Sequence, residues 1–258
     1  GINHLAWFTK LEHKGRDLYP RLMKQAQAEI YGNREDSSNR NRKDIGFDLV
    51  CKDMMLHFGA FITESSGHLS EYLPYYRTNR SAIRRYCGKM HNGESSVYRN
   101  NWPKWRAQAD SDRQRMVDGT KPVGAPGSWE YASWIIEARE KDSPVRIHGN
   151  VMNRHSGGGP LISNLSHDGC VEVACMIDRN GVNPTSYGKL PPQMAAICQS
   201  NMNMFELGTT AAIEKSKDAA IHALMLDPLT SACCTPEQIK TMALELFEAE
   251  KQFLKGYR

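Results

Sequence analysis

The 258-residue chain contains no run of about 18 apolar residues, which excludes a membrane-spanning helix. It has no C-x-x-C pair, so a structural zinc site has no ligand pattern to rest on. Its seven cysteines are odd in number and scattered. That argues against a secreted disulfide framework and points to a reducing cytoplasm. Charge of one sign is scarce: 33 Lys+Arg against 29 Asp+Glu leave +4, too weak by itself to imply nucleic acid. Neither G-x-G-x-x-G nor G-x-x-x-x-G-K-[ST] occurs, so no phosphate-cradling loop is visible. A G-x-S-x-G nucleophile elbow is missing too, and none of the nine histidines forms H-E-x-x-H. No internal repeat, low-complexity segment or linker divides the chain. It reads as one domain.

What is present is an ordinary globular composition, 40% apolar and 24% charged, on a chain long enough to bury a core. Residues 1–13 alternate loosely and read as a strand leading in. Leu22, Met23, Ala26 and Ile30 fall at helical spacing and predict a helix over 17–31, ended by Gly32 and Asn33. The stretch 35–43 is polar and loop-like, and a second helix is expected over 44–58. Residues 81–87, 94–118 and 129–141 also read as helical. The β signal lies at 145–190: Val171, Val173, Cys175 and Ile177 share one face, with Glu172, Ala174, Met176 and Asp178 on the other. Arg179-Asn180-Gly181 supplies the turn of an antiparallel hairpin or meander, Asn-Gly accepting the positive φ that such turns need. His155–Pro160 reads as a flexible loop.

The last third is helical, over 191–226 and again after Thr235, where Pro236 and Gln238 complete a capping box. The apolar face of that last helix is read as Ile239, Met242, Ala243, Leu246 and Phe253. Cys233 and Cys234 read as two small buried residues near a helix start. The fold class is α+β, an antiparallel sheet with several long helices.

Between Tyr75 and Arg115, eight arginines lie close to Tyr98, Trp102 and Trp105. This could be a nucleic-acid surface. Asp110, Asp112 and Asp118 dilute the charge, so the segment is read as a solvated helical face with aromatics packed beneath.

Two segments carry the candidate chemistry. His4 follows Asn3 and precedes apolar residues, and can be a ligand or a satisfied core histidine. Between Phe61 and Tyr76 neither period is clean, and Glu64, Ser66, His68 and Tyr72 sit among small polar residues as in a site-lining connection. Residue chemistry alone leaves both readings open.

Gly1-Ile2-Asn3-His4-Leu5-Ala6-Trp7-Phe8, Thr63–His68 running to Glu71-Tyr72, and Asn164-Leu165 leading to Val171–Cys175 resemble family 4 glycoside hydrolases, nearest the α-galactosidase branch. The likeness follows the family's order over nearly the whole chain. It implies a C-terminal domain of the kind shared with lactate and malate dehydrogenases. A Gly-x-Asn-His segment opens that domain, and a Rossmann NAD-binding half precedes it. Residues 1–258 are therefore expected to be the substrate- and metal-binding domain alone, the N-terminal Rossmann domain being absent from the chain.

Most glycosidases place two carboxylates around the scissile bond; the NAD-dependent family is an exception. The resemblance implies oxidation of the sugar at carbon 3 by NAD and proton removal at carbon 2. The leaving group then departs from carbon 1, water adds, and the hydride returns. A divalent metal, manganese by the family, stabilises the developing charge. Carried over residue by residue, His4 is the metal ligand and its partner Cys lies in the other half. Tyr72 is the base, with Tyr75 and Tyr76 as alternatives. A phenol titrates near 10, so this role needs a nearby cation, with His68 or Arg77 as helpers. Asn3 is expected to bind a sugar hydroxyl, Trp7 to form a wall, and Glu64, Ser66 and His68 to line the pocket. The implied partners are a small sugar, the Rossmann half and further copies in a homo-oligomer, without nucleic acid or membrane. Within the family, α-galactosides come first and α-galacturonides or α-glucosides second. A binding or oligomerisation domain without catalysis is the reading from another class.

Overall fold

The computed structural model describes residues 1–31, 48–87, 97–124, 127 and 130–258. Gly32, Asn33, the polar stretch 35–43, the start of the helix expected over 44–58 and Trp129 lie outside the described residues. Tyr98 is described only as backbone.

The lead-in is less regular than a single strand. Trp7–Phe8 (β1) is followed by a tight hairpin of Glu12–His13 (β2) and Arg16–Asp17 (β3). Helix α1 (Tyr19–Tyr31) lies against α2 (Leu49–Phe58), whose carbonyl end is closed by Gly59 in the left-handed region at φ 90°. The chain then returns as β4 (Phe61–Ile62), which pairs antiparallel with β1 and so carries the segment after residue 62 beside the start of the chain. One helical turn follows, α3 (Ser66–Leu69), and then turns as far as Thr78. Arg80–Ala82 (α4) runs into a π-helical turn, Ile83–Cys87.

Helices α5 (Val97–Val117) and α6 (Ala132–Lys141) precede a three-stranded antiparallel sheet of β5 (Val145–Met152), β6 (Cys170–Asp178) and β7 (Gly181–Pro184). The register pairs Val145 with Ile177 and Val151 with Val171. Val171, Val173, Cys175 and Ile177 are buried, because period-2 alternation sends one set of side chains to the core. The turn departs from expectation in one detail. Asn180 donates its amide to the Asp178 carboxylate, and the positive φ, 131°, belongs to Gly181 rather than Asn180. The His155–Pro160 loop is held by its own bonds, His155 N–H to the Gly159 carbonyl and Gly158 N–H to the His155 carbonyl.

Helices α7 (Pro192–Glu214), α8 (Lys217–Leu226), α9 (Pro228–Cys233) and α10 (Pro236–Ala249) complete the chain. The helical stretch over 191–226 is broken at Lys215, at φ 54°, and restarted by the Ser216 cap. The Thr235–Gln238 capping box is formed. Ile239 and Ala243 of α10 are buried, but Leu246 and Phe253 are exposed, Phe253 lying past the helix end. Cys233 is exposed and Cys234 partly so at the end of α9, contrary to a buried pair; all seven cysteines are free thiols. One core joins β5 and β6, α2, α7, the start of the chain and the segment 60–76. No described helix is long and apolar enough to cross a membrane.

Candidate active site

Ile2 and Leu5 bond to each other through their backbones, so Asn3 and His4 form the centre of a tight turn. His4 sits in the left-handed region at φ 64°, where a side chain crowds the backbone. Ile2 and Leu5 are buried and anchor the turn. Asn3 and His4 are thereby lifted out of the core.

Across from this turn, Glu64 follows β4, which the pairing with β1 has brought alongside. The His4 Nδ1 meets the Glu64 Oε2, and His68 Nδ1 lies 3.5 Å from Glu64 Oε1. His4, Glu64 and His68 each offer one ligand atom, all within 4.8 Å of one another. Two imidazoles and a carboxylate suit a borderline or hard divalent ion, so the donor set fits a metal such as manganese. Burial works against ionisation of Glu64. The His4 ring and the Ser65 amide outweigh it and hold the carboxyl below its usual range.

The Tyr72 ring stacks on His4, with centroids 5.4 Å apart and planes 11° from parallel. Burial, then Glu64 and Glu71, push its phenol above the ordinary tyrosine value. A positive charge at the His4–Glu64–His68 cluster is what would oppose that shift. The neighbouring tyrosines sit elsewhere. Tyr76 is buried and donates its hydroxyl to Asp53, while Tyr75 is half exposed against Phe58. Arg77 stands behind α3, bonded to Ser70 and paired with Glu71.

The remaining expected residues divide. Asn3 lines a cavity of about 550 Å³ between the sheet end and α7. Tyr72 lines another of about 260 Å³, against Ile197 and Asn201. Ser66 is buried and turned the other way. Its Oγ accepts the Val50 and Cys51 amides at 3.0 and 3.3 Å and caps α2, whose own Asp48 makes no side-chain cap bond. Trp7 is also buried, stacked on Phe58, and among the described residues its indole N–H has just the Cys198 sulfur, a weak acceptor, beside it.

Two features escaped the sequence reading. Glu172, assigned with its strand to structure, lines a cavity of about 610 Å³ that also reaches Trp7, Thr63 and His148. Burial raises its pKa. Its outward place in the β6 alternation was the available signal. Buried Asp53 accepts hydroxyls from both Tyr31 and Tyr76; burial first, and then this bond to Asp53, raises the Tyr31 phenol to about 12. Nothing in the local sequence marked it.

Residues 1–230 match the model of the family 4 glycosyl hydrolase C-terminal domain. The chain belongs to that family. An α-galactosidase of Bacillus subtilis (strain 168) is 33% identical over 261 residues, covering 100% of this chain and 55% of the relative. An α-galactosidase of Rhizobium meliloti (strain 1021) is 31% identical, covering 100% and 50%. A 6-phospho-α-glucosidase from gut microorganisms, solved in complex with NAD and Mn²⁺, superposes with a TM-score of 0.66 at 19% identity over 97% of this chain and 53% of that one. That last likeness shows the fold. The family 4 chain described here spans about half the length of the curated relatives it matches.

Proposed function

We propose that this family 4 domain is the substrate- and metal-binding half of an NAD- and Mn²⁺-dependent α-glycosidase acting on α-galactosides. The observation that carries the reading is the meeting of His4, Glu64, His68 and Tyr72 from two distant segments in one partly exposed cluster. The two α-galactosidase relatives support the sugar, and the NAD- and Mn²⁺-bound structure supports the cofactors. When bound, NAD supplies hydride removal and return at carbon 3, and the divalent ion supplies charge stabilisation.

The chain's own residues then have separable tasks. His4, with Glu64 and His68 beside it, would hold the ion. Tyr72 takes the proton from carbon 2, its ring fixed by the stack on His4. Asn3 holds a sugar hydroxyl at the neighbouring turn position. The nicotinamide site belongs to the proposed Rossmann half, since this chain carries no glycine-rich phosphate loop.

The test joins the chain to that half and assays p-nitrophenyl α-galactoside and α-galacturonide with and without NAD⁺ and Mn²⁺. Activity on the galactoside that disappears with either cofactor supports the reading. Solvent deuterium entering carbon 2, suppressed by Tyr72→Phe, supports the base assignment. Hydrolysis indifferent to removal of both cofactors overturns the redox route, and preference for the galacturonide overturns the sugar.

A further inference from the structure

The cavity of about 550 Å³ that Asn3 lines has two walls of different kinds. One is the loop that leads into β6. Buried Asn153 fixes this loop from behind. Its side-chain N–H₂ reaches the carbonyls of Ile162, Leu165 and Ser166 at 2.9, 3.1 and 3.1 Å, and its side-chain oxygen accepts the Ile162 amide at 2.8 Å. The Asn153 backbone N–H also donates to the Gly169 carbonyl at 2.9 Å. The other wall is one face of α7, where Gln199, Met202, Glu206 and Thr209 recur at spacings of three and four with Phe205 beside them. Gln199 joins the walls, its side-chain oxygen accepting the Ser166 amide at 3.1 Å. Gly169 lets them close up, since a Cβ there would fall 1.8 Å from the Met202 methyl carbon. A site whose walls are fixed beforehand loses little freedom when a ligand enters.

The lining chemistry selects a ligand class. Among the described residues, two carboxylates, Asp168 and Glu206, border the cavity, and no Lys, Arg or His does. Cations border the cavity beside Glu172 instead, as Lys10, Arg146 and His148. A phosphate or carboxylate group entering beside Asp168 and Glu206 meets like charge, with no cation in the lining to offset it. Sugar hydroxyls meet strong acceptors there, because a hydrogen bond to a carboxylate is roughly twice as strong as a neutral one. Asn3 and Asn150 add amide partners, and Phe205, 42% exposed, offers aromatic surface to the C–H side of a pyranose. At about 550 Å³ the cavity falls in the range of small-molecule sites, roughly 300–1,000 Å³, whereas the one against Tyr72, at about 260 Å³, falls below it. Through Asn3 it also begins one residue from His4.

We propose that this cavity is a carbohydrate subsite for the leaving group of the glycoside, taking a neutral hexose and rejecting phosphorylated or uronic sugars in that position. The sugar class follows from the lining alone, whereas the leaving-group role rests on the α-galactoside reading.

Cys170, an exposed free thiol bordering the cavity, reports its occupancy in the full chain. Alkylation by iodoacetamide is followed site by site by mass spectrometry, with exposed Cys233 at the end of α9 as internal control. D-Glucose, with about a dozen heavy atoms, is expected to bind in the millimolar range. At saturation it should slow Cys170 at least about 3-fold and leave Cys233 unchanged. Glucose 6-phosphate and glucuronate at equal concentration should not protect. Phe205→Ala should remove the protection by glucose. Asp168→Lys combined with Glu206→Lys, both at exposed positions, should confer protection by glucose 6-phosphate, a gain that misfolding cannot produce. In the enzyme joined to its Rossmann half, Phe205→Ala should raise KM for galactosyl-α-1,6-glucose at least about 10 times more than for α-galactosyl fluoride, whose leaving group is a single atom. Alkylation of Cys170 indifferent to glucose overturns the subsite, and equal protection by glucose 6-phosphate overturns the ligand class. Equal KM changes for the two galactosides overturn the leaving-group role. A failure of α-galactoside hydrolysis itself is told apart, since the thiol assay needs neither the second half nor a cofactor.

Discussion

At the scale of single residues, the turn that carries His4 sets stability against function. A non-glycine residue at φ 64° costs on the order of 1 kcal/mol, and here the cost falls on the residue proposed to hold the metal. His4→Gly should therefore keep the fold or stabilise it by up to about 1 kcal/mol in urea melts. The same change should weaken Mn²⁺ binding at least about 10-fold by titration calorimetry. A variant that loses stability instead would show that the imidazole packs as a core side chain. Glu64 was legible as a polar residue in an aperiodic stretch. Its bond to His4 was not, since that depends on β1 and β4 pairing across more than fifty residues of chain.

At the scale of elements, the structure reassigns Ser66. Alone among the pocket-lining candidates, it closes the N-terminus of α2 from another segment, because Asp48 leaves that end without a side-chain cap. Ser66→Ala should destabilise the fold by about 2 kcal/mol, as two buried amides lose their acceptor. Ser66→Thr, which keeps the hydroxyl, should recover part of it. Equal stability of wild type and Ser66→Ala in thermal melts would remove this role. The capping box at Thr235 shows the opposite case: all its parts lie within four residues, so it could be read directly. Caps made at long range leave no local pattern, and Ser66 was read as pocket lining for that reason.

At the scale of the whole molecule, the proposed metal ligands come from both ends of the β1–β4 crossover, so a bound ion would clip the start of the chain to residues 61–76. Mn²⁺ at about 100 times its dissociation constant should then stabilise the folded state by about 2.7 kcal/mol. Differential scanning fluorimetry should show the rise in Tm, EDTA should reverse it, and Glu64→Gln should reduce it. An unchanged Tm at saturating Mn²⁺ would mean that the cluster holds no ion in this chain.

The local signals needed only short stretches of sequence. Alternation over 171–177 named the buried face of β6, helical spacing placed α1 and α7, and three dispersed motifs pointed to the family. Each of these rests on backbone periodicity or on residue order, which the chain carries within itself. The tertiary structure alone decided what depends on distant segments meeting. It set His4 against Glu64 and stacked Tyr72 rather than Tyr75 or Tyr76 upon it. It turned Ser66 into the core as a cap for α2, and it left Trp102 and Trp105 of α5 about half exposed. Spacing cannot tell a buried aromatic stripe from an exposed one, because the difference lies in whether another part of the fold arrives to cover it.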